Sequence, residues 1–283
     1  MITLREAIGW AAGQLSESPH LRADAHRDAA LLLLHTLGIS RAELLANSDR
    51  TLTPDQFTHF ERLIARRFTH EPVQYITGEQ EFFGLPLRVT PAVLIPRPET
   101  EHLVEAVLAE IDPSTSSTIA DIGTGSGAIA IALAERLPSA RIVATDISPV
   151  ALELAAENAA RNGVANRVRF VESDLLEAIA PDAPFDVIVS NPPYVAFADG
   201  KNLHPQVRDF EPATALFATG NGLDIYRRLI PQAQAALKAN GLLALEIGEG
   251  QCAAINELLG AWNDVRFVAD LQQIPRVALA RKP

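Results

Sequence analysis

The chain has 283 residues, of which 48% are hydrophobic, so it is long enough for one large domain or two smaller ones with a substantial core. Its formal net charge is −11, and residues 97–283 carry 15 Lys and Arg against 24 Asp and Glu. This balance favours a small molecule or a basic protein over nucleic acid as the partner. Cys252 is the only cysteine, which excludes an intrachain disulfide and a cysteine-rich metal site.

Two further properties of the sequence bear on its location and on metal binding. The longest apolar run, Ala29 to Leu34, is too short to cross a bilayer, and residues 1–6 lack a basic region followed by an apolar stretch. We therefore expect a cytoplasmic protein that does not act at a membrane. The seven histidines are scattered without metal-ligand spacing, so no metal is predicted.

Residues 1–72 are predicted to form a helical domain. Apolar residues recur at helical spacing from Leu4 to Leu15, and a second helix is expected over Ala23 to Leu37, closed by Gly38. A later helix begins with Thr53 as N-cap, followed by Pro54 at its first position and by Gln56, which completes a capping box. One face of that helix carries an apolar stripe that we interpret as core, namely Phe57, Phe60, Ile64 and Phe68.

Residues 73–96 are predicted to link this domain to a second one. A β-hairpin is expected around Gly84 to Pro86, and prolines then punctuate the chain as far as Pro98. Arg97 and Glu99 open the following helix, where they either cap and stiffen the connection or lie near an active site.

Residues 97–283 alternate between strand and helix patterns, which predicts a mostly parallel sheet with helices on both faces. Helices are expected over residues 127–137, 149–162, 222–238 and 250–260. Seven strands are expected over residues 118–122, 141–145, 167–171, 185–190, 242–247, 265–270 and 276–281. The link between the last two strands is too short for a parallel crossover, so these two are predicted to be antiparallel.

The tetrapeptide Asn191-Pro192-Pro193-Tyr194 follows directly on the predicted strand 185–190. Two consecutive prolines cannot continue a central strand, because neither has an N–H for the ladder. The chain must leave the sheet there, at the edge where open α/β sheets bind their ligands. A stiff turn with an amide, a proline carbonyl and an aromatic ring suits a planar nitrogen-bearing group, although it could also be a structural loop.

A glycine-rich loop, Gly123-Thr124-Gly125-Ser126-Gly127, joins the first strand of this region to its helix. Glycines there allow a tight turn and a close approach of the backbone to a ligand. Asp146, at the end of the second strand, could accept hydrogen bonds from both hydroxyls of an adenosine ribose, or it could cap the next helix. This pattern serves NAD and S-adenosylmethionine alike.

A second acidic residue, Asp174, follows the third strand and precedes Leu175. Its carboxylate could accept a hydrogen bond from an adenine amine while Leu175 covers the ring, or it could be an exposed loop acid.

In this order, the motifs resemble those of the class I S-adenosylmethionine-dependent methyltransferases. The Asn-Pro-Pro-Tyr turn is similar to the one found in the branch of these enzymes that methylates planar amide or amino nitrogens. Three further segments are similar to the bacterial release factor glutamine methyltransferase family, known as PrmC or HemK. They are residues 71–78 (EPVQYITG), 94–101 (LIPRPETE) and 222–230 (GLDIYRRLI). The resemblance covers nearly the whole chain.

The resemblance implies a Rossmann-like sheet of seven mostly parallel strands with an antiparallel last strand, and a small all-α N-terminal domain that recognises the substrate. It also implies methyl transfer from S-adenosylmethionine to the glutamine amide of the Gly-Gly-Gln motif in class I peptide chain release factors, without a metal. Gly123 to Gly127 and Asp146 would hold the cofactor, with Asp174, Leu175 and Asn191 beside it. Relatives often have an aromatic residue at position 175 and a glycine at the position of Gln273, where we expect only a local turn difference.

For the chemistry, we hypothesise that the Asn191 side-chain oxygen and the Pro192 carbonyl accept the two N–H bonds of the target amide. Pro193 completes the turn, and Tyr194 is expected to pack its ring against the amide plane. Two fixed acceptors would position the nitrogen and favour the positive charge that develops on it.

Three other functions are compatible with parts of the sequence. An adenine-amino DNA or RNA methyltransferase shares the Asn-Pro-Pro-Tyr turn and would bring an extruded base to it. A nicotinamide oxidoreductase would use the glycine loop but leaves that turn unexplained. A non-catalytic adaptor would use the fold only to bind a partner. We expect a monomer that binds no nucleic acid.

Overall fold

The computed structural model describes residues 2–182 and 184–283. Its contacts divide the chain into two units. The first comprises the residues up to Glu79 together with Asn202–Phe210, and the second comprises Gln80–Lys201 and Glu211–Pro283. Compactness therefore groups the residues differently from the predicted ranges 1–72, 73–96 and 97–283, because a short segment from the middle of the chain packs within the N-terminal unit. The functional roles predicted for those ranges stay predictions.

The first unit is helical, as its apolar periodicity predicts. Its helices before the hairpin are α1 (Leu4–Ser16), α2 (Ala25–Leu37), α3 (Arg41–Ala46), α4 (Pro54–Phe68) and α5 (Val73–Thr77). The predicted helix signals are confirmed: Gly38 ends α2 with φ +62°, and Thr53 and Gln56 form a reciprocal capping box at the start of α4. The short helices α3 and α5 were not predicted.

The stripe along α4 is only partly core, which corrects one prediction. Phe60 and Ile64 are buried among the apolar side chains of α1 and α2, and Phe57 packs at their edge. Phe68, at the last position of the helix, is instead 44% exposed. The helical periodicity places Phe68 on the same face, but the helix ends there and nothing in the sequence shows where the covering elements stop.

The second unit begins with a two-stranded sheet, β1 (Glu79–Phe82) and β2 (Leu85–Arg88), followed by α6 (Pro98–Leu108). The predicted hairpin is present, with its turn at Phe83 and Gly84. An alternation of strands and helices follows: β3 (Thr118–Ile122), α7 (Ala128–Arg136), β4 (Arg141–Asp146), α8 (Pro149–Arg161), β5 (Val168–Glu172) and β6 (Phe185–Ser190). A 3-10 helix over Glu177–Asp182 precedes β6.

After β6 come several short elements that were not predicted. They are β7 (Val195–Ala196), a 3-10 helix (Phe197–Asn202), α9 (Pro205–Phe210), α10 (Ala213–Leu216), β8 (Phe217–Ala218) and α11 (Thr219–Gly222). Of these, α9 lies in the part of the chain assigned to the first unit. The remaining elements are α12 (Asp224–Ala236), β9 (Leu237–Glu246), α13 (Cys252–Leu258), β10 (Asn263–Ala269) and β11 (Pro275–Arg281).

Within the described residues, the main sheet has seven strands in the order β10-β11-β9-β6-β3-β4-β5. The pairs from β9 to β5 are parallel, and β11 is antiparallel to both β9 and β10. This confirms the predicted fold class, including the antiparallel strand at the end of the chain. The order also reverses at β3, so β3 lies between β4 and β6 and their carboxyl ends converge at one edge of the sheet.

Successive residues of the strands supply the cores on the two faces of the sheet. Val187 and Val189 of β6 join one core with α6 and α7, whereas Ile188 joins the other with α12 and α13. This two-sided burial explains why β6 is apolar almost without interruption.

Candidate active site

The glycine-rich loop after β3 has the backbone that its sequence requires. Gly123, Gly125 and Gly127 have φ values of +74°, +55° and +83°, a region that side-chain-bearing residues rarely adopt. A Cβ atom at Gly123 or Gly125 would meet nothing within 4 Å, whereas one at Gly127 would lie 2.9 Å from the Cδ1 atom of Ile131. Gly127 therefore allows α7 to pack, and the first two glycines leave open space beside their backbone.

That space is part of a cavity of about 370 Å³ at the carboxyl ends of β3, β4 and β6. Ten of the predicted site residues line it, and Ser190, just before the turn, does so as well. The ten are Gly123, Thr124, Gly125, Ser126, Asp146, Asp174, Leu175, Asn191, Pro192 and Pro193. Gly127 and Tyr194 are not among the lining residues.

Asp146 lies at the end of β4 and connects two neighbouring loops. One carboxylate oxygen accepts a hydrogen bond from the Gly125 N–H at 2.9 Å, and the other accepts from the Ser148 N–H at 2.9 Å. Asp146 thus both steadies the glycine loop and holds the start of α8, while it still lines the cavity. Each carboxylate oxygen keeps a lone pair for a further donor, so the predicted contact with a ribose remains possible for both hydroxyls.

Asp174 and Leu175 line the same cavity, where Asp174 contacts a residue that was not predicted for the site. The Asp174 carboxylate accepts a hydrogen bond from Arg228 of α12 at 2.7 Å, and Arg228 also lines the cavity. Leu175 has φ +54°, and its carbonyl accepts a hydrogen bond from the Thr145 hydroxyl at 3.2 Å. The predicted contacts of Asp174 and Leu175 with adenine stay predictions.

Asp121 lies at the end of β3, fully buried beneath the glycine loop. Burial raises the pKa of its carboxyl to about 7, against the opposing hydrogen bonds from the Thr124 hydroxyl and the Ala130 N–H. Its Oδ2 atom accepts those two bonds, at 2.6 and 3.2 Å, whereas its Oδ1 atom has no partner among the described residues. An unpaired buried oxygen lowers the stability of the folded state.

Asn191 follows the last residue of β6, where the Ser190 hydroxyl donates to the Ile122 carbonyl at 2.7 Å and ties the two central strands together. The Asn191 Nδ2 group donates to the Thr100 hydroxyl at 3.1 Å. Because its amide nitrogen is used in this way, the Asn191 Oδ1 atom remains available as an acceptor. Among the described residues, none donates a hydrogen bond to the Pro192 carbonyl. The two acceptors predicted for a target amide are thus both unused.

Tyr194 ends the turn and packs beneath it. It packs against the core formed by α12 and α13, and its hydroxyl lies 3.4 Å from Oε1 of Glu246. Burial, followed by the charge of Glu246, raises the pKa of its phenol above the usual range. The hydroxyl therefore joins the end of the turn to β9, and the predicted contact of the ring with the substrate amide stays a prediction.

Two residues that follow β9, Gln251 and Gly248, hold the end of the turn at Tyr194 in place. The Gln251 Nε2 group donates to the Tyr194 carbonyl at 3.1 Å, and Gln251 is itself fixed by the Gly248 N–H at 2.9 Å. A Cβ atom at Gly248 would lie 2.9 Å from the Tyr194 ring. None of these residues was predicted, because the sequence places them more than fifty positions after the turn.

Other lining residues come from segments whose role the sequence left open. Arg97 lines the cavity and forms an ion pair with Glu211 at 2.5 Å, where the Glu211 side chain is fully buried. Burial raises the pKa of Glu211, and the charge of Arg97 opposes that shift. Of the two roles considered for Arg97, the structure thus supports the one near the site. Phe217 of β8 also lines the cavity, although its segment carries no recognisable motif.

The cavity and its loop fit S-adenosylmethionine: the glycines leave space beside exposed backbone, Asp146 offers free lone pairs, and the turn with Asn191 lies on the same cavity wall. Within residues 2–182 and 184–283, no three His, Cys, Asp or Glu side chains form a group that could hold a metal ion. In the same part of the chain, no helix combines the length and apolar character needed to cross a membrane.

The fold and the site define a methyltransferase with a Rossmann-like sheet. Residues 99–209 match the methyltransferase small domain family, and residues 6–78 match the PrmC N-terminal domain. A solved methyltransferase from Pyrococcus furiosus has a TM-score of 0.53 at 20% sequence identity, over 71% of this chain and 90% of that one, which supports the fold.

Full-length relatives narrow the class to one family. The chain is 45% identical to the release factor glutamine methyltransferase of Koribacter versatilis (strain Ellin345), over 100% of this chain and 99% of that protein. It is 44% identical to the release factor glutamine methyltransferase of Moorella thermoacetica, over 99% and 98% of the two chains. The chain belongs to the release factor glutamine methyltransferase family.

Proposed function

We propose that this protein transfers a methyl group from S-adenosylmethionine to the side-chain amide nitrogen of the glutamine in the Gly-Gly-Gln motif of class I peptide chain release factors. The observation that carries the proposal is the position of Asn191. It lies at the carboxyl end of β6, lines the same cavity as the glycine loop, and has its amide nitrogen occupied by Thr100.

Gly123, Gly125, Asp146, Asp174 and Leu175 are proposed to hold the cofactor. When bound, S-adenosylmethionine supplies a methyl group already activated by the positive charge on sulfur, so no metal is needed. The glycine backbone and Asp146 fix the cofactor at the ends of β3 and β4. The turn after β6 then has to bring the acceptor nitrogen into line with the methyl group.

An amide nitrogen is a weak nucleophile because its lone pair is delocalised into the carbonyl. The Asn191 Oδ1 atom and the Pro192 carbonyl can accept one N–H bond each, which orients the nitrogen and excludes hydroxyl or thiol substrates that lack two such donors. Both acceptors carry partial negative charge, so they would also stabilise the positive charge that grows on nitrogen as its bond to the methyl carbon forms. The bond from that carbon to sulfur would break, which leaves S-adenosylhomocysteine, and the methylated nitrogen would then lose one of its two protons to solvent.

The helical region 1–72 is proposed to recognise the release factor, residues 73–96 to connect it, and residues 97–283 to carry out the transfer. The acidic surplus of residues 97–283 favours a protein substrate over nucleic acid. That the protein is a cytoplasmic monomer remains a prediction, as does the absence of nucleic acid from its function.

The direct experiment is to incubate the protein with S-adenosylmethionine and a recombinant class I release factor and to analyse the Gly-Gly-Gln peptide by mass spectrometry. A gain of one methyl group on the glutamine is expected, and none on a release factor whose glutamine is replaced by glutamate. A parallel reaction with duplex DNA and with structured RNA tests the nucleic-acid alternative. Methylation of either one, with the release factor unchanged, would overturn the proposal.

Asn191→Ala tests the proposed acceptor. Turnover should fall at least a hundredfold, as for other preorganised polar groups at a reacting centre, while the affinity for S-adenosylmethionine changes little. Asn256→Ala is the matched control, since Asn256 is an exposed residue of α13 away from the cavity. Near-normal turnover of Asn191→Ala would refute the assigned role of this side chain.

A further inference from the structure

Two buried side chains, Thr100 and Glu246, connect Asn191 to α6 and β9. Thr100, in the first turn of α6, accepts the hydrogen bond from Asn191 Nδ2 at 3.1 Å. The Thr100 side chain also acts on the carboxyl group of Glu246, the last residue of β9, whose pKa it lowers, and the same carboxyl group receives the Tyr194 hydroxyl at 3.4 Å. Both Thr100 and Glu246 are almost completely buried, at 4% and 2% exposure. Neither one was singled out by the sequence, and Glu246 does not line the cavity.

Asn191, Thr100 and Glu246 form a chain, and their chemistry gives it a direction. The Asn191 Nδ2 group donates to the Thr100 oxygen, and an ionised carboxylate attracts the single hydroxyl hydrogen of Thr100 because it can only accept. The Thr100 oxygen can then only accept on its other side. Asn191 must therefore present its NH₂ group to Thr100, which leaves the Oδ1 atom for the cavity.

We propose that Thr100 and Glu246 are positioning residues that fix the orientation of the Asn191 amide, so that Oδ1 and not Nδ2 faces the substrate nitrogen. This inference rests on the proposed function and concerns the same site. Without the fixed direction, the Asn191 amide could turn over and oppose its own N–H groups to those of the substrate. That arrangement would repel the target amide, because two donors would face each other.

The surroundings of Glu246 keep it in place but do not fully satisfy it. The Tyr226 hydroxyl donates to the Glu246 main-chain carbonyl at 2.7 Å, and the Glu246 Oε2 atom has no hydrogen-bond partner among the described residues. The charged groups that act on Glu246 are Glu99, at the start of α6, and Arg276 of β11, which is itself paired with Asp270 at 3.0 Å.

Burial raises the pKa of Glu246 to about 7, against the hydrogen bonds from Thr100 and Tyr194; the charge of Glu99 adds to the rise and that of Arg276 opposes it. The direction of the chain should therefore be well defined above this pH and weaken below it, because a protonated Glu246 can itself donate to Thr100. The rate at saturating substrate should fall as the pH drops through about 7.

The first test uses Thr100→Val and Thr100→Ser with labelled S-adenosylmethionine and a recombinant class I release factor. Thr100→Val keeps the branched shape but removes the hydroxyl, and kcat should fall about tenfold or more, the equivalent of one lost orienting hydrogen bond. The dissociation constant of S-adenosylmethionine, measured by calorimetry, should stay within about twofold. Thr100→Ser retains the hydroxyl and should recover most of the wild-type kcat. Wild-type kcat in Thr100→Val would overturn the inference.

The second test uses Glu246→Gln, which keeps the size of the side chain. Because a glutamine can donate to Thr100, kcat should fall, and the loss of rate below about pH 7 should disappear from the kcat–pH profile. Asp121 has a similarly raised pKa, so it is the competing source of such a profile. If the acidic loss of rate persists unchanged in Glu246→Gln, Asp121 or another group causes it and the inference fails.

The two proposals fail in different ways. A wild-type protein that leaves the release factor unmethylated refutes the proposed function, whatever the variants do. An active wild type combined with an unaffected Thr100→Val and an unchanged pH profile refutes only the positioning role. Should Thr100→Val not fold, as judged by its thermal unfolding, the pH profile of Glu246→Gln still decides the question.

Discussion

Replacing Gly222 with alanine should disturb the turn that carries Asn191 and leave the binding of the cofactor almost unchanged. Gly222 ends α11 with φ +80°, and a Cβ atom added there would collide with the Tyr194 carbonyl oxygen and lie 2.9 Å from the Gln251 Nε2 atom. Both neighbours belong to the same hydrogen bond, in which Gln251 donates to Tyr194 at 3.1 Å. The new methyl group would therefore push apart the contact that fixes the end of the turn.

The expected cost has two parts. Forcing alanine into the left-handed region costs about 1–2 kcal/mol. Separating the Tyr194 carbonyl from Gln251 leaves a partly buried acceptor without its partner, which costs up to about 1–3 kcal/mol more. Gly84→Ala is a matched control for the first part, because Gly84 has φ +78° and a Cβ atom there would meet nothing within 4 Å.

Thermal unfolding should show Gly222→Ala to be less stable than Gly84→Ala, by about 2–4 °C for each kcal/mol of difference. The rate of methyl transfer should fall by up to about a hundredfold, because a shift of about 1 Å in the turn misplaces Asn191. The affinity for S-adenosylmethionine should change little, since the glycine loop is a separate segment. If the two variants have the same stability and activity, the collision with Tyr194 does not matter and the reasoning is wrong.

Two further predictions concern stability. Asp121→Asn should make the protein more stable than the wild type at pH 8.5, by a few kcal/mol. The pKa of Asp121 is about 7 in the folded state, above its value in the unfolded chain, so the wild type loses stability as the pH rises from about 4 to about 7. Urea unfolding of both proteins at pH 8.5 and at pH 4 checks this, and a stability difference that does not depend on pH would contradict it. Phe60→Ala should cost about 3–5 kcal/mol because Phe60 is fully buried, whereas Phe68→Ala should cost less than about 1 kcal/mol because Phe68 is 44% exposed; equal losses in urea unfolding would show that α4 packs differently.

Much of the fold could be predicted because its signals are local. The capping box of Thr53, the left-handed Gly38 and the apolar run of β6 each depend on neighbours within a few positions. The short link between β10 and β11 likewise sufficed to predict an antiparallel end of the sheet. The elements between β7 and α11 have no such signal, since they are short and held by contacts with distant residues.

The residues of the candidate site likewise fall into two groups, those that local signals predict and those that distant contacts place. Its motif residues, from the glycine loop to Asp146 and Asn191, were predictable because each follows a strand and parallel strands end at one edge. Arg228, Thr100 and Gln251 were not, because their roles depend on contacts with residues 54, 91 and 57 positions away. The contacts of Tyr194 with Gly248 and Glu246 were likewise not predictable, because those two residues follow it by more than fifty positions in the chain.

The sequence alone thus determined the order of strands and helices, the glycine loop and the polar turn after β6, because backbone stiffness and apolar periodicity act over short distances. Only the tertiary structure decided which atoms of that turn are free to act. The Asn191 side chain has an acceptor, Oδ1, and a donor, Nδ2, and either one could face the cavity. Its orientation is set by Thr100 and Glu246. These two residues come from α6 and β9 and approach Asn191 only when the sheet has formed. A hydrogen bond between distant segments is a property of their arrangement in space, and no local pattern of residues encodes it.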